Sequence, residues 1–145
     1  MNPATEDLPA VDSIDSAGAA RQAKTLVVED QTEVRSQIAD ALNEIGHTVL
    51  EAGDGTAGLR VLESGEPLDL LITDVGLPGL SGIRLAEAAR VWRPNLPILL
   101  ITGYVGKSLE TLRLAPNMEV LRKPFTLDEL AARVQALLKG AASPR

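Results

Sequence analysis

The stretch that most constrains this chain is Leu68-Asp69-Leu70-Leu71-Ile72-Thr73-Asp74, followed at once by Val75-Gly76-Leu77-Pro78-Gly79. A short apolar run between Pro67 and a Gly/Pro loop reads as a strand buried on both faces. Asp74 stands where that strand ends. In open α/β sheets, ligand chemistry collects just beyond the carboxyl ends of the strands. A carboxylate there needs a partner or a metal, because an unpaired buried charge is costly. A lone Asp in such a place also serves as a helix cap or turn residue. Its meaning therefore depends on how the other strands end.

Taken in order, residues 1–23 carry Pro3, Pro9, Ser13, Ser16 and Gly18 without sustained periodicity, and Glu6, Asp7, Asp12 and Asp15 outweigh Arg21. This reads as a flexible acidic leader. Lys24 to Val28 is the first strand, and it ends in Glu29-Asp30. Val34, Ile38, Ala41, Leu42 and Ile45 then fall at helical spacing, with Gly46 as the stop. His47 to Ala52 reads as a second strand. Asp54 can cap a helix through about Glu63, which Gly55 and Gly58 weaken. Ser81 caps a third helix, Gly82 to about Trp92, closed by Arg93-Pro94. Pro97 to Ile101 is a fourth buried strand that ends in Thr102-Gly103. A short helix is expected between Gly106 and Leu114, stopped by Pro116. Glu119 to Arg122 is a fifth strand, ending in Lys123-Pro124. Thr126 and Glu129 form a capping box. It opens a last helix with Leu127, Leu130, Val134, Leu137 and Leu138 on its apolar face. Residues 140–145 read as a frayed tail, leaving 24–139 as the folded domain.

Five strands alternating with five helices define an α/β fold with a parallel sheet. Right-handed crossovers with helices on both faces suggest the strand order 2-1-3-4-5, an arrangement already familiar among doubly wound sheets. Composition removes several functions. Aromatics are only 2% of the chain, which leaves no stacking platform for single-stranded nucleic acid. The net charge of −6 argues against a general phosphate-backbone binder. With no cysteine, disulfides, thiol catalysis and Cys-ligated metals are excluded. No apolar run approaches a membrane span, and no secretory signal is visible, so the expected location is cytoplasmic.

Four strands thus end in polar groups: Glu29-Asp30, Asp74, Thr102 and Lys123. In a parallel sheet of this order these ends share one edge and converge around Asp74. Three carboxylates in one pocket repel unless a cation neutralises them. With only oxygen donors nearby, a hard ion such as Mg²⁺ is implied. Taken singly, each residue has an ordinary explanation. The acid pair is a solvated loop, Thr102 a cap, Lys123 a surface lysine, and Gly76, Pro78 and Gly79 turn formers.

Taken together, Val27-Val28-Glu29-Asp30, Thr73-Asp74 with Leu77-Pro78-Gly79, Ile101-Thr102-Gly103 and Lys123-Pro124-Phe125 resemble the response-regulator receiver domains of two-component signalling. The resemblance covers about Lys24 to Lys139 and implies a flavodoxin-like receiver fold. It implies that Asp74 accepts a phosphoryl group as an acyl phosphate. Glu29, Asp30 and Asp74 would hold Mg²⁺, with the backbone carbonyl of Gly76. Thr102 and Lys123 would each contact a phosphoryl oxygen, and Pro124 would follow a cis peptide bond. In-line phosphoryl transfer of this kind relies on positioning and charge neutralisation. The implied donor is a sensor histidine kinase or histidine phosphotransfer protein, and the implied output is a downstream protein. Direct contact with nucleic acid or membrane is not expected, nor is enzymatic activity beyond the chain's own phosphoryl transfer and dephosphorylation.

Two positions depart from the usual pattern. Val120 occupies the place, three residues before Lys123, where the family usually carries Tyr or Phe. Tyr104 instead follows Thr102 by two residues, as in the Thr-Gly-Tyr variant of some single-domain regulators and hybrid-kinase receivers. The expected switch pair is therefore Thr102 and Tyr104. The expected contact face comprises 106–114, Glu119 to Arg122 and the last helix, with Leu109, Leu112 and Leu114 as anchors or as core. Only six residues follow Lys139, so output is expected through another protein. A receiver excised from a hybrid histidine kinase or a larger regulator would read the same way.

Three other classes compete. A haloacid-dehalogenase-type phosphatase wants its nucleophile after the first strand with a second Asp two residues on, whereas here the first-strand acids are adjacent and Gly76 follows Asp74. A nucleotide-binding Rossmann domain wants a glycine-rich first turn, whereas Glu29-Asp30-Gln31-Thr32 would repel a pyrophosphate. A pseudo-receiver lacks part of the acid, hydroxyl and lysine set, which is complete here.

Overall fold

The computed structural model describes residues 22–103 and 117–142. Within them the chain runs β1 (Lys24–Val28), α1 (Thr32–Glu44), β2 (Thr48–Ala52), α2 (Gly55–Glu63), β3 (Leu70–Asp74), α3 (Gly82–Trp92), β4 (Ile98–Thr102), β5 (Met118–Arg122) and α4 (Leu127–Ala142). The five strands form one parallel sheet in the order β2-β1-β3-β4-β5, the order expected from the sequence. The helix expected at 106–114, with Leu109, Leu112 and Leu114, lies outside the described residues, as do the first 21 residues.

Strand side chains alternate between the two faces of the sheet, and both faces are apolar. Leu26, Val28, Leu71, Ile98 and Leu100 point into one core with Leu62 of α2 and Leu85, Ala86 and Ala89 of α3. Val27, Leu70, Ile72, Leu99 and Ile101 point the other way, onto Ile38 and Leu42 of α1 and Leu130, Val134 and Leu137 of α4. The central strands β3 and β4 are buried along their whole length. This explains their unbroken apolar sequences.

Local signals set the ends of the helices. Asp54 accepts from the Ala57 N–H at 2.8 Å to cap α2, and Ser81 accepts from Arg84 N–H at 3.2 Å to cap α3. The capping box is reciprocal: Thr126 Oγ1 accepts from Glu129 N–H at 3.0 Å, and Glu129 Oε1 from Thr126 N–H at 2.8 Å. At the end of α1, Gly46 sits at φ 95°. Its N–H donates to Asn43 O and that of His47 to Leu42 O, the paired bonds of a glycine-terminated helix.

Several details differ from the sequence reading: β2 begins at Thr48 rather than His47, β4 spans Ile98–Thr102 rather than Pro97 to Ile101, and β5 begins at Met118 rather than Glu119. β3 begins at Leu70 rather than Leu68, because the Asp69 carboxylate accepts from Lys24 N–H at 2.8 Å and ties off the lead-in. The last helix continues to Ala142, beyond Lys139. Leu127 is exposed rather than core-facing, since it opens α4 ahead of the turn that packs on the sheet.

Candidate functional site

Parallel pairing places the carboxyl ends of β1, β3, β4 and β5 on one edge, with Val28 beside Thr73, Asp74 beside Ile101 and Thr102 beside Arg122. Glu29 and Asp30 follow β1 directly, Asp74 closes β3, Thr102 closes β4, and Lys123 follows β5. The structure therefore brings Glu29, Asp30, Asp74 and Lys123 together, and Thr102 stands at the same edge. One carboxylate oxygen from each of Glu29, Asp30 and Asp74 lies within 4.8 Å of the others. Lys123 Nζ stands 3.5 Å from Asp74 Oδ1 and 3.8 Å from Glu29 Oε1. The Lys123 N–H donates to Thr102 O at 2.8 Å, which links the ends of β4 and β5. The Lys123–Pro124 peptide is cis, as the resemblance implies.

Burial is uneven across the cluster. Glu29 and Thr102 are each 1% exposed and Asp74 is 8% exposed, whereas Asp30 faces solvent. Glu29 Oε2 accepts from Gln31 N–H at 3.0 Å, but among the described residues buried Oε1 has no hydrogen-bond partner. Burial raises the Glu29 carboxyl above its ordinary pKa, and the charge of Asp74 adds to the rise. The Gln31 N–H and Lys123 offset only part of it. A buried carboxylate oxygen without a donor, beside two more carboxylates, fits a hard divalent cation. Were Mg²⁺ bound here, Glu29, Asp30 and Asp74 are the side chains that would hold it. Gly76 lies in the exposed turn after β3.

Two predicted features fall elsewhere. Tyr104 lies outside the described residues, so the structure offers no geometry for the Thr102–Tyr104 pair. Val120 is partly buried against the core. The structure also supplies residues that the sequence reading missed. Arg35 of α1 donates from Nη1 to Glu29 O at 2.7 Å. Gly82 packs its Cα against the backbone of Asp74. The signal for Arg35 was a cation one turn into the helix that follows an acid pair. Nothing in the sequence marked Gly82 beyond its position after a cap.

This geometry agrees with the comparisons to known proteins. The family described as response regulator receiver domain matches residues 25–135, and the chain belongs to it. Among its relatives, the response regulator receiver protein CpdR of Brucella abortus is 34% identical over 119 residues, covering 81% of this chain and 98% of that protein. The transcriptional regulatory protein TcrA of Mycobacterium tuberculosis is 35% identical over 132 residues, covering 90% of this chain and 51% of TcrA. The chain thus spans about half the length of several curated relatives that it matches. The solved receiver domain of the hybrid histidine kinase CckA superposes with a TM-score of 0.68 at 36% identity, covering 79% of this chain and 98% of that one. The chain is a receiver domain of two-component signalling, with the strand order and helical layers of that fold. Among the described residues no helix is long and apolar enough to cross a membrane.

Proposed function

We propose that the chain is a phosphorylation-switched signalling module in which Asp74 accepts a phosphoryl group from a histidine kinase or a histidine phosphotransfer protein. The observation that carries this reading is the meeting of three carboxylates within 4.8 Å, with Lys123 Nζ 3.5 Å from the Asp74 oxygen. An Asp74 carboxylate oxygen attacks phosphorus in line. The bond from phosphorus to the donor's imidazole nitrogen breaks, its electron pair stays on that nitrogen, and an acyl phosphate remains on Asp74. Bound at Glu29, Asp30, Asp74 and the Gly76 carbonyl, Mg²⁺ would neutralise charge between the nucleophile and the anionic donor. Lys123 stabilises negative charge at the same carboxylate, and the Thr102 hydroxyl donates to a phosphoryl oxygen. Burial of Glu29 and Asp74 strengthens these interactions by keeping the pocket poor in water.

The output is a changed protein-binding face, read by a downstream protein in the cytoplasm. Thr102 passes the phosphoryl state to its own strand end, and Tyr104 is the aromatic partner that the sequence resemblance supplies in place of Val120. The module turns over no external substrate. A second reading makes this chain the receiver part of a larger regulator or a hybrid kinase. The half-length match to TcrA and the likeness to the CckA receiver support it.

Intact-mass spectrometry after incubation with acetyl phosphate, with and without Mg²⁺, tests the proposal. A single phosphoryl adduct that needs Mg²⁺ and is absent from Asp74→Ala is expected. An adduct that persists in Asp74→Ala contradicts it.

A further inference from the structure

Arg35 joins three elements at the rim of the acid pocket. It lies in the second turn of α1, with its N–H bonded to Gln31 O at 2.9 Å. Its guanidinium donates from Nε to Glu51 Oε1 of β2 at 3.1 Å and from Nη1 to Glu29 O at 2.7 Å. That carbonyl belongs to the peptide joining Glu29 to Asp30. The N–H of Glu29 is in turn bonded to Ala52 O at 3.1 Å. Together with the bond from Gln31 N–H to Glu29 Oε2, these contacts fix the backbone from which both acidic side chains project. The planar fork of an arginine holds two acceptors in one orientation, which a lysine does not.

We infer that Arg35 is a positioning residue for the acid pair: through the Glu29 carbonyl and Glu51 it holds Glu29 and Asp30 in the arrangement that takes a divalent cation. The inference rests on the proposed metal site at Glu29, Asp30 and Asp74. Its physical signature is one of sign. If Arg35 acted only as a nearby positive charge, it would repel a dication, and its removal would tighten binding. If it acts by holding the backbone, its removal weakens binding. Groups that orient metal ligands from behind typically change affinity by ~10–100-fold when removed.

The test is calorimetric titration of the full chain with Mg²⁺ alone, without phosphodonor, beside thermal unfolding in EDTA. Arg35→Met is expected to bind Mg²⁺ at least about tenfold more weakly than the wild type. Arg35→Lys, which keeps the charge but loses the fork, should recover little of that loss. Unchanged or tighter binding by Arg35→Met would overturn the inference, as would full recovery by Arg35→Lys. Glu51→Asp keeps both charges and withdraws the anchor of Arg35 by one methylene. It carries the test if Arg35→Met unfolds, with weaker Mg²⁺ binding expected and unchanged binding contrary. Asp74→Asn separates the two levels. If the wild type binds no Mg²⁺, or Asp74→Asn binds it equally well, the metal site itself is wrong and the inference falls with it. If the wild type binds through Asp74 and Arg35→Met matches it, only the role of Arg35 fails.

Discussion

The Cα of Gly82 lies so close to Asp74 that a Cβ built on it would sit 2.0 Å from the Asp74 carbonyl oxygen and 2.7 Å from its carbonyl carbon. The Gly82 N–H also donates to Val75 O at 3.1 Å. The first turn of α3 is thus seated directly on the strand end that presents Asp74. Because the opposing atoms are backbone, a methyl group cannot be accommodated by a side-chain rotation. Gly82→Ala is expected to lower stability by about 1–3 kcal/mol, the usual cost of overpacking, with a lower urea midpoint. It should also slow phosphoryl uptake from acetyl phosphate, because relief of the clash moves the Asp74 backbone.

Glu29 makes the metal-free protein sensitive to pH in a defined direction. Its folded pKa is raised by burial and by Asp74, so the folded state holds this proton more tightly than the unfolded state does. Its favourable contribution is therefore complete below the unfolded carboxyl value of 4.5 and is lost as pH rises through the folded value. At neutral pH the buried charge destabilises the fold. In EDTA, Glu29→Gln should be more stable than the wild type at pH 7, with the difference shrinking as pH falls toward 4.5. Adding Mg²⁺ should raise the melting temperature of the wild type but not of Glu29→Gln. Denaturation series at several pH values check both statements.

Lys123 places its positive charge beside the nucleophile, with Nζ 3.5 Å from Asp74 Oδ1. Lys123→Gln should slow phosphoryl uptake by about a hundredfold, the scale expected on removing one preorganised charge-stabilising group. Mg²⁺ affinity should not fall, because the carboxylates lose a competing cation. Uptake rates and Mg²⁺ titrations on the same variant separate these effects.

Thr126 supplies a control remote from the chemistry. Thr126→Ala removes the acceptor for Glu129 N–H and should cost about 1 kcal/mol. The uptake rate from acetyl phosphate should stay within error of the wild type.

Much of this molecule was legible in its sequence because its signals are local. The apolar runs of β3 and β4, the Ser81 and Asp54 caps and the Thr126–Glu129 box each act over a few residues; the caps and the box appear where the sequence places them, and the two strands within two residues of it. The meeting of Glu29, Asp30, Asp74 and Lys123 followed from one topological rule about parallel strand ends. Close packing was not legible. Gly55 and Gly58 counted against a helix, yet a Cβ at Gly55 would lie 2.2 Å from Leu80 O, and one at Gly58 would lie 2.8 Å from Val28 Cγ2. The missing side chain of Gly58 lets α2 approach β1 and α3, and that of Gly55 lets its first turn seat against the loop that precedes α3. Arg35 escaped for a related reason. Its place one turn after the acid pair was visible, but its partners are a backbone carbonyl and a side chain on β2, which the sequence does not pair with it.

The most direct measurement of the central claim is the location of the phosphoryl group. Borohydride reduces an acyl phosphate to the alcohol, so a phosphorylated aspartate becomes homoserine, which peptide mass spectrometry can place. After Mg²⁺ and acetyl phosphate, homoserine is expected at position 74 alone and at no position when Mg²⁺ is withheld. Homoserine at position 30, or a phosphoryl adduct that leaves Asp74 unmodified, would contradict the account.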